Sequence, residues 1–134
     1  MERVILDTGV IAGVDRGRLE WSQVIGEEDD AAIAAVTAAE LLQGVELGEG
    51  RVRDRRRVFV EGVLSDIPIE SYDLSVARHH ARLLAHCRVS GEPRGAHDLM
   101  IAATAVATGR TVVTTDEKAR FEGLPGVRAR VLPR

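Results

Sequence analysis

Short runs of aliphatic and β-branched residues alternate along this chain with segments of helical periodicity, and that alternation constrains the fold more than any other feature. Val4-Ile5-Leu6 and Thr111-Val112-Val113-Thr114 read as short strands, and Ala31 to Val36 reads as a small-residue buried strand. Val127 to Leu132 alternates Val127, Ala129 and Val131 inward with Arg128 and Arg130 outward. Ile67-Pro68-Ile69 adds a strand that its proline confines to an edge or an end. Helical segments separate these runs: a stretch through Ala12, a helix from Thr37 to about Gly48 or Gly50, and Arg53 to Ser65 with Val60, Val63 and Leu64 inward. Asp73 to Val89 follows, with Leu74, Ala77, Ala81, Leu84 and Ala85 as its apolar stripe, and then alanine-rich Ala96 to Ala107, buried on several sides. Strands alternating with helices predict an α/β, three-layer fold, with a mainly parallel central sheet flanked by helices.

At 134 residues, with no repeat, linker or low-complexity segment, the chain is expected to form one domain over residues 1–134. No apolar run approaches the roughly 20 residues a membrane span needs, and the N-terminus has no signal-peptide pattern. Cys87 is the only cysteine, so no intrachain disulfide forms and a cytoplasmic protein is expected. The net charge of −3 gives no overall basic footprint for a nucleic acid. Distribution matters more than the sum, because 17 of the 18 basic residues are arginine and Arg51, Arg53, Arg55, Arg56 and Arg57 lie close together. The plainer reading of that run is a solvated helix face. The alternative is an RNA-binding patch centred on Arg55 and Arg56.

Four acids stand where a strand ends or a helix begins. Asp7 follows the first strand and Asp116 follows Val113-Thr114-Thr115, while Glu40 and Asp98 lie near helix starts. In parallel α/β sheets the functional crevice lies beyond the carboxyl ends of the strands. Gathered there, four carboxylates repel one another, and a hard cation such as Mg²⁺ or Mn²⁺ supplies the missing charge. Each acid also has a structural reading. Thr37 and Glu40 match a capping box, Asp98 suits a helix dipole, and Asp7 and Asp116 suit N-caps.

The contexts of the four acids make the pattern recognisable. Val4-Ile5-Leu6-Asp7-Thr8-Gly9, Thr37-Ala38-Ala39-Glu40-Leu41-Leu42 and His97-Asp98-Leu99-Met100-Ile101-Ala102-Ala103 resemble, in order and spacing, the three acidic motifs of PIN domains. Val112-Val113-Thr114-Thr115-Asp116, with Phe121 and Leu124-Pro125-Gly126-Val127 beyond, resembles the closing segment of the VapC-type toxins within that family. The resemblance implies a PIN-like fold and a metal-dependent endoribonuclease that cleaves RNA by metal-assisted attack of water. It implies that Asp7, Glu40, Asp98 and Asp116 ligate Mg²⁺ or Mn²⁺, with Thr8 and Thr114 supporting the site. Many family members carry Asn at the fourth position, so Asp116 departs from a common pattern. The resemblance further implies a homodimer and a cognate VapB-like antitoxin that covers the site.

Other constellations carry less. His79, His80, His86 and Cys87 lie on one helix, but the His79–His86 spacing does not match a close helical zinc pair. His97 could touch a phosphate, and Arg94, in the loop before Asp98, could neutralise one as a bidentate donor. Two further functions compete: a haloacid-dehalogenase-like phosphatase with Asp7 as nucleophile, and a non-enzymatic, Mg²⁺-binding receiver-like module. The first needs an acid at position 9, which is Gly9, and Lys118 alone does not place the lysine pattern of the second.

Overall fold

The computed structural model describes residues 1–133. Strand β1 (Arg3–Leu6) runs into helix α1 (Thr8–Asp15) and then a single turn, α2 (Trp21–Val24). Strand β2 (Asp30–Ala34) leads into α3 (Ala35–Glu46), followed by α4 (Gly50–Asp66) and the two-residue β3 (Ile69–Glu70). Helices α5 (Leu74–Ser90) and α6 (Ala96–Thr108) precede β4 (Thr111–Thr114). Two 3₁₀ turns, Glu117–Ala119 and Phe121–Gly123, connect β4 to β5 (Ala129–Val131).

The five strands form one parallel sheet in the order β3-β2-β1-β4-β5. Successive side chains of a strand point to opposite faces, so β1 supplies both cores. Ile5 and Val112 pack under α5 and α6 with Leu83, Ile101, Ala102 and Phe121. Val4, Leu6 and Val113 pack on the other face with Val10, Ile11, Leu41, Val60 and Val63, from α1, α3 and α4. The expected three layers are therefore present.

Several local expectations are corrected. The second strand ends at Ala34, and α3 starts at Ala35 rather than Thr37. Ala34 is its N-cap without a side-chain bond, so Thr37 and Glu40 form no capping box. Thr37 is fully buried inside the helix instead. On α5 the buried side chains are Val76 and Leu83, whereas Leu74, Ala81, Leu84 and Ala85 of the expected stripe are exposed. Two apolar rows run along this helix, and the neighbouring α6 covers the other one. In the edge strand β5, Val131 is exposed and the following Leu132 is buried. No helix among the described residues is long and apolar enough to cross a membrane.

At the amino ends of the strands lies a residue the sequence reading passed over. The guanidinium of Arg110 is buried, donating to the carbonyls of Val4 (3.2 Å) and Asp30 (2.7 Å) and to the carboxylates of Asp30 and Glu70 (both 3.1 Å). It ties β2, β3 and β1 together at the edge opposite the acids.

Candidate active site

The topology dictates where the site forms. From β1 the chain goes to β2 and β3 on one side, and β4 then returns to the other side of β1. The strand order thus reverses between β1 and β4, opening a crevice at their carboxyl ends. Asp7 leaves β1 at that edge, and Asp116 leaves β4.

Asp7 is nearly buried and held at both oxygens. Its Oδ1 accepts from the Thr8 N–H (2.8 Å), which makes it the N-cap of α1, and its Oδ2 accepts from the Thr114 hydroxyl (2.8 Å). Thr114 is fully buried, and its oxygen accepts in turn from the Asp116 N–H (3.0 Å). One hydroxyl therefore fixes the first acid relative to the fourth. Asp116 Oδ1 accepts from the Lys118 N–H (2.9 Å) and caps the first 3₁₀ turn, so the N-cap readings of Asp7 and Asp116 are correct as far as they go.

Glu40 approaches from α3. Its Oε1 accepts from the Thr8 hydroxyl (2.9 Å), and its Oε2 lies 3.1 Å from His97 Nδ1. Thr8 thereby joins the first and second acids, and His97 joins the second to the start of α6. Asp98 lies in the first turn of α6. A Cβ built on the N-cap Gly95 would stand 3.0 Å from Asp98 Oδ2, so a side chain at position 95 would push on this carboxylate.

The electrostatics couple all four. Burial raises the Asp7 carboxyl above the usual carboxylate range, and the charges of Glu40 and Asp116 add to the rise against the hydrogen bonds from Thr114 and Thr8. Burial also raises Asp98, and Asp7, Asp116 and Glu40 add to it, opposed in part by His97. The acids thus share one field, with the His97 ring set against Glu40 at its edge. Among the described residues, no three His, Cys, Asp or Glu side chains converge on one ion-sized point. Gathering three carboxylates around a cation therefore requires side-chain rotation, most obviously by Glu40, which Thr8 and His97 hold.

The candidate RNA contacts separate. The Arg94 side chain is only 7% exposed, and its Nη1 donates to the carbonyls of Ala119 and Arg120, both at 2.7 Å. It staples the loop before α6 to the 3₁₀ turns after Asp116, with its guanidinium turned to those carbonyls. Arg55 is exposed, and Arg56 Nε lies 3.7 Å from Asp15. The α5 histidines make no zinc cluster either: His80 bonds to Tyr72 (2.7 Å) and His79 lies 3.4 Å from Arg82.

The family model for the PIN domain matches residues 4–125. The tRNA(fMet)-specific endonuclease VapC of Salmonella typhimurium is 34% identical over 96 residues, covering 72% of this chain and 70% of the relative. Ribonuclease VapC of Rickettsia bellii is 28% identical over 138 residues, covering 97% of this chain and 96% of the relative. Among solved structures, the DNA-bound VapBC of Salmonella typhimurium superposes with a TM-score of 0.84 at 28% identity, covering 98% of both chains. This chain belongs to the PIN-domain family and stands with its VapC ribonucleases.

Proposed function

We propose that this chain acts in the cytoplasm, as one domain, as a divalent-metal-dependent endoribonuclease of the VapC type. The observation that carries the reading is the carboxylate field at the switch point, where Asp7 and Asp98 are both raised by burial and by acids that include Glu40 and Asp116. Such a field is unfavourable without a cation, and a set of carboxylate oxygens suits Mg²⁺ or Mn²⁺. Asp7, Glu40, Asp98 and Asp116 would hold the ion. When bound, it would lower the pKa of a water and stabilise charge on the phosphoryl oxygens.

The chain's own residues do the rest. Thr114 holds Asp7 through a hydrogen bond that favours the carboxylate and opposes the rise that burial imposes on its pKa. Thr8 and His97 hold Glu40 in reserve at the mouth. Asp116 departs from the frequent Asn, which adds a negative charge and raises the demand for a cation. For the alternatives, Gly9 leaves a phosphatase without its second acid.

The solved relatives include VapBC toxin–antitoxin complexes, and a VapB-like antitoxin is the partner we assign here, together with a homodimer. Exposed apolar surface supports both: Leu74, Leu84 and Val89 on α5, and a cleft walled by Trp21, Ile25 and Phe59, whose Trp21 and Phe59 rings stack.

The test is digestion of a mixed RNA pool by the purified chain. Cleavage with Mg²⁺ or Mn²⁺, abolished by chelator and restored by readdition, is expected. Metal-independent cleavage, or an acyl-phosphate trapped on Asp7, would refute the reading.

A further inference from the structure

Resting on the ribonuclease reading, we propose that the RNA strand leaves the acidic centre over α1, along a phosphate track made by Arg16, Arg18, Arg55 and Arg56. The problem it solves is electrostatic. A site built from four carboxylates repels a polyanion, so phosphates flanking the cut need cationic side chains close by. Arg94 cannot serve, since its guanidinium is buried against two carbonyls.

Two adjoining clefts supply the cations. The first is lined by Gly9, Gly13, Arg16, Arg18, Leu19 and Thr115, of which Gly9 lies two residues after Asp7 and Thr115 directly before Asp116. The second is lined by Asp15, Arg16, Val52, Arg55 and Arg56. Arg16 lines both, which joins them into one path from the acidic centre to α4. Arg16 and Arg18 are exposed, and among the described residues neither forms an ion pair or hydrogen bond through its side chain. Asp15 is the one acid of the second cleft, and Arg56 stands against it at 3.7 Å. Three arginines therefore face one aspartate there, and Arg18 adds a fourth cation in the first cleft.

The floor of the first cleft is bare on one side. A Cβ at Gly9 would meet nothing closer than Thr115 Oγ1 at 3.7 Å, an ordinary contact, and Gly9 has no positive φ. Neither packing nor backbone requires glycine at position 9, although a helical glycine costs about 1 kcal/mol against alanine. Its missing side chain leaves room beside the acids for a strand to pass.

The test is the salt dependence of binding of a fluorescent single-stranded oligouridylate, in Mg²⁺, on an Asp98→Asn background that slows cleavage. Each phosphate contact contributes a slope of about 0.7 in log K against log salt for single strands. Arg16→Ala/Arg18→Ala and Arg55→Ala/Arg56→Ala should each flatten the slope by about 1.4. Arg51→Ala/Arg57→Ala, which removes two exposed arginines of α4 outside both clefts, should leave it unchanged. If the parent background binds RNA but Arg16→Ala/Arg18→Ala keeps its slope, the track is wrong and the nuclease reading stands. An equal loss in Arg51→Ala/Arg57→Ala would also overturn the track, since charge anywhere on the surface would then suffice. A background that binds no RNA at all would remove the nuclease reading and the track together.

Discussion

Replacing Thr114 by valine keeps the shape of a fully buried residue and deletes the one hydroxyl that ties Asp7 to Asp116. Asp7 loses a charge-assisted hydrogen bond of 2.8 Å, worth about 1.5–3 kcal/mol where a buried carboxylate is left without it. The Asp116 N–H loses its acceptor at a partly buried position, which adds about 0.5–1 kcal/mol. The sum is about 2–4 kcal/mol at neutral pH. At about 2.1 cal/mol/K per residue, a chain of this length unfolds with an entropy near 280 cal/mol/K, so Tm should fall by about 7–14 °C. The deficit should depend on pH. Thr114 lowers the Asp7 pKa, so its loss raises the folded-state value further above the unfolded value of about 4. The stability difference between parent and variant is then full above the variant's folded pKa and shrinks as pH falls through it. Urea denaturation in chelator, from neutral pH stepwise towards about 4, reads both effects. Equal stabilities at neutral pH, or a deficit that grows on acidification, would refute the reasoning.

Two further predictions concern the same site. Asp98→Asn should stabilise the metal-free protein at neutral pH, with the gain over the parent shrinking as pH falls through the raised pKa of Asp98, because the charged form bears the cost. It should also blunt stabilisation by Mn²⁺, which in the parent reaches about 2.7 kcal/mol at a hundredfold excess over Kd; thermal melts in chelator and in Mn²⁺ read both, and a variant less stable than the parent in chelator would mark Asp98 as a helix-dipole stabiliser instead. Arg94→Ala removes two hydrogen bonds of 2.7 Å and should cost about 2 kcal/mol in urea denaturation while leaving the salt slope of RNA binding unchanged. A stable variant with a flattened slope would return Arg94 to the RNA-contact reading.

The parts of this molecule legible in the sequence were those with a period or a punctuation mark. Alternation of strands and helices, and two strands running into aspartates, foretold the parallel sheet and the edge where Asp7 and Asp116 emerge. What failed depended on partners far along the chain. Thr37 and Glu40 match a capping box locally, yet the strand ends early, Thr37 is buried, and Glu40 turns to Thr8 and His97. On α5, the row from Leu74 to Leu84 and the row of Val76 and Leu83 are both plausible apolar faces, and only the position of α6 decides between them. Arginine was the least legible residue. Arg94 and Arg110 are buried staples, whereas Arg16 and Arg18 lie on the surface beside the acids, and nothing in their neighbouring residues distinguishes the two fates.

The central claim, that the gathered acids cleave RNA around a divalent cation, is tested most directly by the cleavage rate of a folded Asp98→Asn protein beside the parent, each across a Mn²⁺ titration. The account predicts a saturable, chelator-sensitive rate in the parent and a loss of at least about 10²-fold in the variant, some 2.7 kcal/mol of transition-state stabilisation. A folded variant that cleaves as fast as the parent at the same Mn²⁺ concentrations would contradict it.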